Sequence, residues 1–209
     1  MSIKNTLLLS SVMVISAATP ATYAQPETTR RVLVAIENGG AVELDATSGA
    51  MLQNYETGPN AFGAIYSADG RKAFVTDKTS GELVEIDTVT RSVTNTLNVG
   101  TQPQQPALNR NGRMFIPLSG EGAIAVVETV NGLTLSRKIS IGAASKPHIV
   151  ALSPDEMHLW VTVQGYDPKV VALRLDESGE ALAKEFRYDL VPRVIAATDS
   201  GAYFTAHHS

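Results

Sequence analysis

The sequence predicts an all-β fold, a β-propeller of four-stranded antiparallel blades. A repeat of 42 residues is the main reason, since Gly58, Gly100 and Gly142 each close a segment of alternating apolar and polar residues. Asp45 and Asp87 keep the same step at the ends of acidic-apolar segments. A period of roughly 40–45 residues is typical of propeller blades, because each small sheet buries its faces only against its neighbours. An all-β sandwich is the alternative, but it does not explain this recurrence.

Each repeat unit begins with a strand of small residues, which suits the innermost strand because blades converge at the central axis. We predict inner strands at residues 64–67, 106–109, 150–153 and 194–197. The second strands begin near Val32, Phe74, Phe115, Trp160 and Tyr203. The chain is therefore expected to supply about four blades plus a partial one. It opens on a second strand and ends in mid-blade, as an incomplete propeller would.

Residues 1–24 have the features of a secretory signal peptide. Lys4 precedes an apolar stretch that runs to Ile15, and small residues follow as far as Ala24. The apolar stretch is shorter than the ~20 residues needed to span a bilayer. We therefore expect cleavage before Gln25, a periplasmic or secreted protein, and no membrane span after cleavage. Residues 25–209 would form the propeller domain.

Composition excludes several classes of function. The chain has no cysteine, which rules out disulfides, thiol catalysis and cysteine-ligated metals. The net charge is −4 and no cluster of lysine and arginine occurs, so there is no signature of nucleic-acid binding. A hydrophobic fraction of 44% indicates a folded core.

The repeat units resemble the YVTN repeat of β-propellers. That repeat has an aromatic-Val-Thr-Asn strand, a Val-Ile-Asp strand, a strand ending in Val-Gly, and a Pro-X-Gly-Val-Ala-Val-Ser-Pro-Asp-Gly segment. The matching segments are Phe74-Val75-Thr76-Asp77, Val84-Glu85-Ile86-Asp87, Val99-Gly100 and residues 147–155. The sequence departs from the pattern at Pro117-Leu118, which replace the Thr-Asn pair, at Glu156, which replaces the turn glycine, and in residues 32–35.

The resemblance covers residue 31 to the C-terminus and is specific for the fold. It implies kinship with surface-layer and lactonase-like propellers of seven blades, of which this chain would be a truncated member. It is much less specific for function.

Catalytic motifs are scarce. The sequence has no Gly-X-Ser-X-Gly elbow, no His-Glu-X-X-His pair and no phosphate-binding loop, so we predict no catalytic residue and no metal site. Asp45, Asp87 and Glu128 recur once per blade, whereas a catalytic acid is needed only once. We predict that these acids accept backbone hydrogen bonds in Asx-type turns.

Aligning the repeats predicts a ring of side chains at the mouth of the central channel. Counting back seven residues from Asp69, Asn111 and Asp155, and matching Pro192-Arg193 with Pro147-His148, gives Phe62, Gln104, His148 and Arg193. Asn60, Gln102 and Lys146 are expected just outside this ring. The alternative is that equivalent loop positions simply hold solvent-exposed residues.

Such a ring favours an anionic or polar ligand. Arg193 and Lys146 would supply charge, Gln104 hydrogen-bond donors and acceptors, and Phe62 a stacking face. His148 is expected to make the affinity depend on pH near the imidazole pKa of ~6.5.

The leading interpretation is a non-enzymatic scaffold, with no cofactor of its own, that binds a small anionic or polar ligand or a protein partner. The first alternative is a lactonase-like hydrolase, since residues 170–182 resemble the repeat ending of such propellers. A metal-dependent lactonase would need several carboxylates or histidines at the channel, where only His148 is expected. The second alternative is a partner subunit of a periplasmic quinoprotein or cytochrome dehydrogenase. No Cys-X-X-Cys-His is present, so any haem or cysteine-derived cofactor would belong to another chain.

Overall fold

The computed structural model describes residues 30–176 and 179–208, which form β-strands joined by turns, with no helix among them. The strands assemble into five antiparallel sheets, here called blades 1 to 5. Blade 1 contains β1 (Arg31–Ala35), β2 (Ala41–Asp45) and β3 (Met51–Tyr55). Blade 2 contains β4 (Ala61–Tyr66), β5 (Lys72–Asp77), β6 (Glu82–Asp87) and β7 (Ser92–Asn98). Blade 3 contains β8 (Ala107–Leu108), β9 (Arg113–Leu118), β10 (Ala123–Glu128) and β11 (Thr134–Ser140). Blade 4 contains β12 (Lys146–Leu152), β13 (His158–Gln164), β14 (Lys169–Asp176) and β15 (Gly179–Arg187), and blade 5 contains β16 (Val191–Thr198) and β17 (Gly201–His207).

The predicted fold class, a β-propeller, is confirmed. The four predicted inner strands are β4, β8, β12 and β16, and each pairs antiparallel with the strand that follows it. Blades 2, 3 and 4 have four strands each, in simple sequential order.

The apolar core lies in layers between neighbouring blades. One layer joins Phe74 and Leu83 of blade 2 to Met114 and Ile116 of blade 3. Equivalent layers join blade 1 to blade 2, blade 3 to blade 4, and blade 4 to blade 5. The second strands are buried along nearly their whole length, because both of their faces pack against adjacent blades.

The repeated glycines adopt a backbone conformation that other residues rarely take. Gly58, Gly100 and Gly142 have φ angles of 108°, 133° and 121°. At Gly100 an added Cβ atom would also collide with the carboxylate of Glu121. The 42-residue period therefore marks a fixed bend between the outer strand of one blade and the next blade.

The recurring acids form the predicted Asx-type turns at two of the three positions. Oδ1 of Asp45 accepts the N–H groups of Thr47 and Ser48, at 2.9 and 2.6 Å. Oδ1 of Asp87 accepts two backbone N–H groups in the same way. These hydrogen bonds lower the pKa of both carboxyl groups. The prediction is wrong for Glu128, whose longer side chain instead forms an ion pair with Arg113, at 2.8 Å.

The predicted signal peptide, residues 1–24, lies outside the described residues. Within the part of the chain that the structure describes, no helix is long and apolar enough to cross a membrane.

Candidate functional site

Threonines in the second strands position the loops that enter the next blade. Oγ1 of Thr76, on β5, accepts a backbone N–H of its own blade and donates to the carbonyl oxygen of Gln104 in blade 3, at 3.1 Å. Thr162, on β13, does the same and donates to the carbonyl oxygen of Arg193 in blade 5, also at 3.1 Å. Blade 3 has Pro117 at this position, and its carbonyl accepts the N–H of Gln104, at 2.8 Å. The loop entries that the sequence predicts at the channel mouth are thus fixed by hydrogen bonds between and within blades.

These loops and the ends of the second strands line a polar cleft of about 580 Å³. Its lining residues come from blades 2, 3 and 4: Asn60, Lys78, Thr79, Thr101, Gln102, Gln104, Ser119, Lys146, His148 and Gln164. Gln104, Lys146 and His148 are therefore brought together, as the sequence predicts. Phe62 and Arg193 are not among the residues that line the cleft.

Phe62 lies behind the cleft and supports two of its side chains. The Nζ atom of Lys78 lies 3.3 Å from the centroid of the Phe62 ring, a cation–π contact. The rings of Phe62 and His148 meet edge to face, with centroids 5.6 Å apart. Phe62 thus stacks on protein groups, whereas the sequence predicted a stacking face for a ligand.

His148 is an uncharged imidazole near neutral pH. Burial, together with the positive charges of Lys78 and Arg193, lowers its pKa to about 4, although a backbone hydrogen bond to Arg193 acts in the opposite direction. Its Nδ1 atom is buried without a hydrogen-bond partner among the described residues. The predicted pH dependence near 6.5 is therefore wrong, because the protonated ring would be desolvated beside two cations.

The two lysines of the cleft differ in burial. Lys146, at the start of β12, is exposed. Lys78, just after β5, is half-buried, and this burial lowers the pKa of its ammonium group, while Glu37 partly opposes the effect. The side chain of Arg193 is exposed and acts on the site through its charge.

The sequence analysis missed Lys78, Ser119 and Gln164. Each is the residue that directly follows the four-residue motif of a second strand, in blades 2, 3 and 4. The repeat alignment contained this signal, because the end of a second strand lies beside the entry loop of its own inner strand.

A second recess of about 300 Å³ adjoins the cleft and shares Lys78, Thr79, Thr101 and Gln102 with it. Its outer wall holds an ion pair in which Nζ of Lys138 lies 2.6 Å from Oε2 of Glu121. Among the described residues, no three histidine, aspartate or glutamate side chains are grouped so that they could hold a metal ion.

The fold is shared with several solved β-propellers. Hydrazine synthase of Kuenenia stuttgartiensis superposes with a TM-score of 0.75 at 16% identity, over 84% of this chain and 52% of that one. The Cps50 (Swd1) β-propeller domain of Myceliophteria thermophila gives 0.71 at 14% identity, over 85% and 62%. A candidate 6-phosphogluconolactonase of Bacteroides uniformis gives 0.69 at 18% identity, over 88% and 62%.

Identities this low show the fold alone. The chain spans 52% to 62% of the length of these three structures. Neither a family profile nor a curated protein sequence matches it.

Proposed function

We propose that this propeller is a non-enzymatic binding protein whose channel-mouth cleft takes a small anionic or polar ligand. The observation that carries the proposal is the pairing of its lysines. Lys72, Lys138 and Lys169 each form an ion pair with a carboxylate. Within residues 30–176 and 179–208, Lys78, Lys146 and Lys184 form none. Lys184 lies on the outer strand β15, whereas Lys78 and Lys146 both line the cleft.

The surroundings of these two ammonium groups support an anion as the ligand. No carboxylate is among the described residues that line the cleft, and His148 adds no charge at neutral pH. Glu37 acts on Lys78 from outside this lining. A carboxylate or phosphate entering the cleft would gain charge-assisted hydrogen bonds, which are stronger than neutral ones. It would also offset the cost of holding Lys78 half-buried, and so raise the pKa of that lysine.

The proposal is tested by isothermal titration of the protein with citrate and with inorganic phosphate at pH 7 and low salt. The Lys78→Gln variant should bind at least about tenfold more weakly than the wild type, the scale of one hydrogen bond to a charged group. Lys184→Gln is the matched control, because Nζ of Lys184 also lies over a phenyl ring, that of Phe186, at 4.9 Å, but on the outer strand β15. The control should bind as the wild type does.

Two results would contradict this proposal. Binding that is equally strong in the wild type and the Lys78→Gln variant would place the site elsewhere. Absence of binding for citrate, inorganic phosphate and the dicarboxylates galactarate and adipate alike would remove the anionic ligand class.

A lactonase-like hydrolase is the second candidate, and it rests on His148. The imidazole of His148 lines the cleft, and its Nδ1 atom has no hydrogen-bond partner among the described residues, so it can accept a proton as a general base must. Its lowered pKa makes it a weak base, which is why this candidate ranks second. Hydrolysis of glucono-δ-lactone by the wild type, lost in His148→Gln, would favour this candidate. A rate equal to that of buffer alone would remove it.

The finer assignments also remain proposals. We propose membership of the YVTN repeat group on the motif residues, and export to the periplasm or beyond on residues 1–24. Intact-mass measurement of exported protein should show a chain that begins at Gln25, and retention of Met1 would refute cleavage. A role as partner subunit of a periplasmic dehydrogenase would be supported by co-purification of a haem- or quinone-bearing chain.

A further inference from the structure

The amide of Gln104 has a fixed orientation. Its Nε2 atom donates to the carbonyl oxygen of Gln102, at 3.0 Å, and that oxygen can only accept. Nε2 also donates to Oγ of Ser119, at 2.8 Å. The hydroxyl of Ser119 is in donating distance of the same Gln102 carbonyl, at 3.2 Å, so it accepts from Gln104. If the amide were flipped, Oε1 would face the carbonyl oxygen of Gln102, and both atoms are acceptors. Oε1 therefore points away from Gln102 and Ser119.

Oε1 of Gln104 is a buried acceptor in the wall of the cleft. Gln104 is only 3% exposed, yet Oε1 has no hydrogen-bond partner within the described residues. Oδ1 of Asn60, on the same cleft, is also buried and has no partner in the described part of the chain. Buried polar atoms are nearly always hydrogen-bonded, and an unpaired one is costly.

We infer, building on the proposed anionic ligand, that this ligand carries hydroxyl groups beside its charge and that Gln104 selects for them. Lys78 and Lys146 attract the anionic group, whereas Oε1 of Gln104 and Oδ1 of Asn60 accept hydrogen bonds from the ligand. The donor is a neutral group, for which we choose a hydroxyl, because an ammonium group would be repelled by the two lysines. A site built to accept from a hydroxyl discriminates against the analogue that lacks it, since the buried acceptor then stays unpaired.

The test compares three six-carbon probes that separate charge from hydroxyl groups. Galactarate is a dicarboxylate with four hydroxyls, adipate is the same dicarboxylate without them, and galactitol has hydroxyls but no charge. Titration calorimetry at pH 7 should show that the wild-type protein binds galactarate at least about tenfold more tightly than adipate. Galactitol should bind more weakly than galactarate.

Two matched variants assign the preference to one residue. Gln104→Met removes the acceptor, and the ratio of galactarate to adipate affinity should fall toward one. Gln105→Met makes the same change at the next residue, which is also buried and also has an unpartnered Oε1, but which does not line the cleft. This control should keep the wild-type ratio.

The outcomes separate this inference from the function on which it rests. Equal affinities of the wild type for galactarate and adipate would overturn the inference and leave anion binding intact. A ratio that survives in Gln104→Met would also overturn it. Failure of galactarate, adipate and citrate alike to bind would overturn anion binding itself. If Gln104→Met does not fold, the ratio of galactarate to adipate affinity in the wild type still tests whether the site prefers a hydroxylated ligand.

Discussion

Acidification should destabilise this protein through His148. In the unfolded chain an imidazole has a pKa of ~6.5, whereas burial and the charges of Lys78 and Arg193 lower the pKa of His148 to about 4 in the fold. As pH falls below 6.5 the unfolded state binds this proton first. Stability is therefore complete above pH 6.5, is lost progressively between pH 6.5 and 4, and stays lost below that window.

The size of the effect follows from the difference between the two pKa values. Each pKa unit corresponds to ~1.36 kcal/mol, so the full loss amounts to roughly 3 kcal/mol and the loss between pH 7 and 4.5 to roughly 2–3 kcal/mol. A loss of this size is a large part of the stability of an ordinary domain, which is about 5–15 kcal/mol.

Urea unfolding at pH 7 and pH 4.5, followed by the fluorescence of the single tryptophan, Trp160, measures this loss. The His148→Gln variant cannot take up the proton, so it should lose roughly 2–3 kcal/mol less than the wild type between the two pH values. The His158→Gln variant changes another histidine of blade 4 and keeps His148, so it should follow the wild type. Carboxylates that titrate in the same range are common to all three proteins and cancel in the comparison.

A wild type and a His148→Gln variant with the same pH dependence would refute the reasoning. That result would mean that the imidazole is solvated, or that the two cations are too far away to act on it.

Three further changes test how the blades are joined. Thr76→Val removes the hydroxyl that donates to the Gln104 carbonyl, and it leaves the buried N–H of Gly63 unpaired. The free energy of unfolding measured in urea should fall by about 1–3 kcal/mol. An unchanged midpoint would contradict the role of this hydrogen bond. Gly100→Ala should lower the free energy of unfolding more than Gly142→Ala does, because of these two positions only Gly100 would bring the new Cβ against a charged side chain. Equal losses would mean that the backbone angle alone matters. Glu156 has a φ of 59°, a left-handed conformation that strains any residue except glycine. Glu156→Gly should therefore raise the free energy of unfolding by roughly 0.5–1 kcal/mol. A lower free energy of unfolding would show that the contact of Glu156 with Arg110 outweighs the strain.

The fold could be predicted because the residues that recur in the repeat are ones that the geometry of a blade requires. A positive φ at Gly58, Gly100 and Gly142 requires glycine after the outer strands of blades 1, 2 and 3, and the small inner strands are required by convergence at the axis. The register that follows from these landmarks also brought Gln104, Lys146 and His148 to one cleft.

The side-chain directions within that register could not be predicted. Phe62 lies behind the cleft with the ammonium group of Lys78 packed on its ring, a contact between strand β4 and the residue that follows β5 that no spacing reveals. The pKa of His148 depends on burial and on two cations from other blades, so the ordinary pKa of a free imidazole was the wrong guide. Lys78 was missed because it directly follows the motif of residues 74–77 and is not one of the four motif residues.

The central claim is that the cleft between Lys78, Lys146 and Gln104 binds a hydroxylated anion. A crystal structure of the protein soaked in galactarate at pH 7 tests this claim most directly. We expect a carboxylate of galactarate in contact with Nζ of Lys78 or Lys146, and a hydroxyl within about 2.8 Å of Oε1 of Gln104. Galactarate found only on the outer strands, with the cleft holding solvent alone, would contradict it.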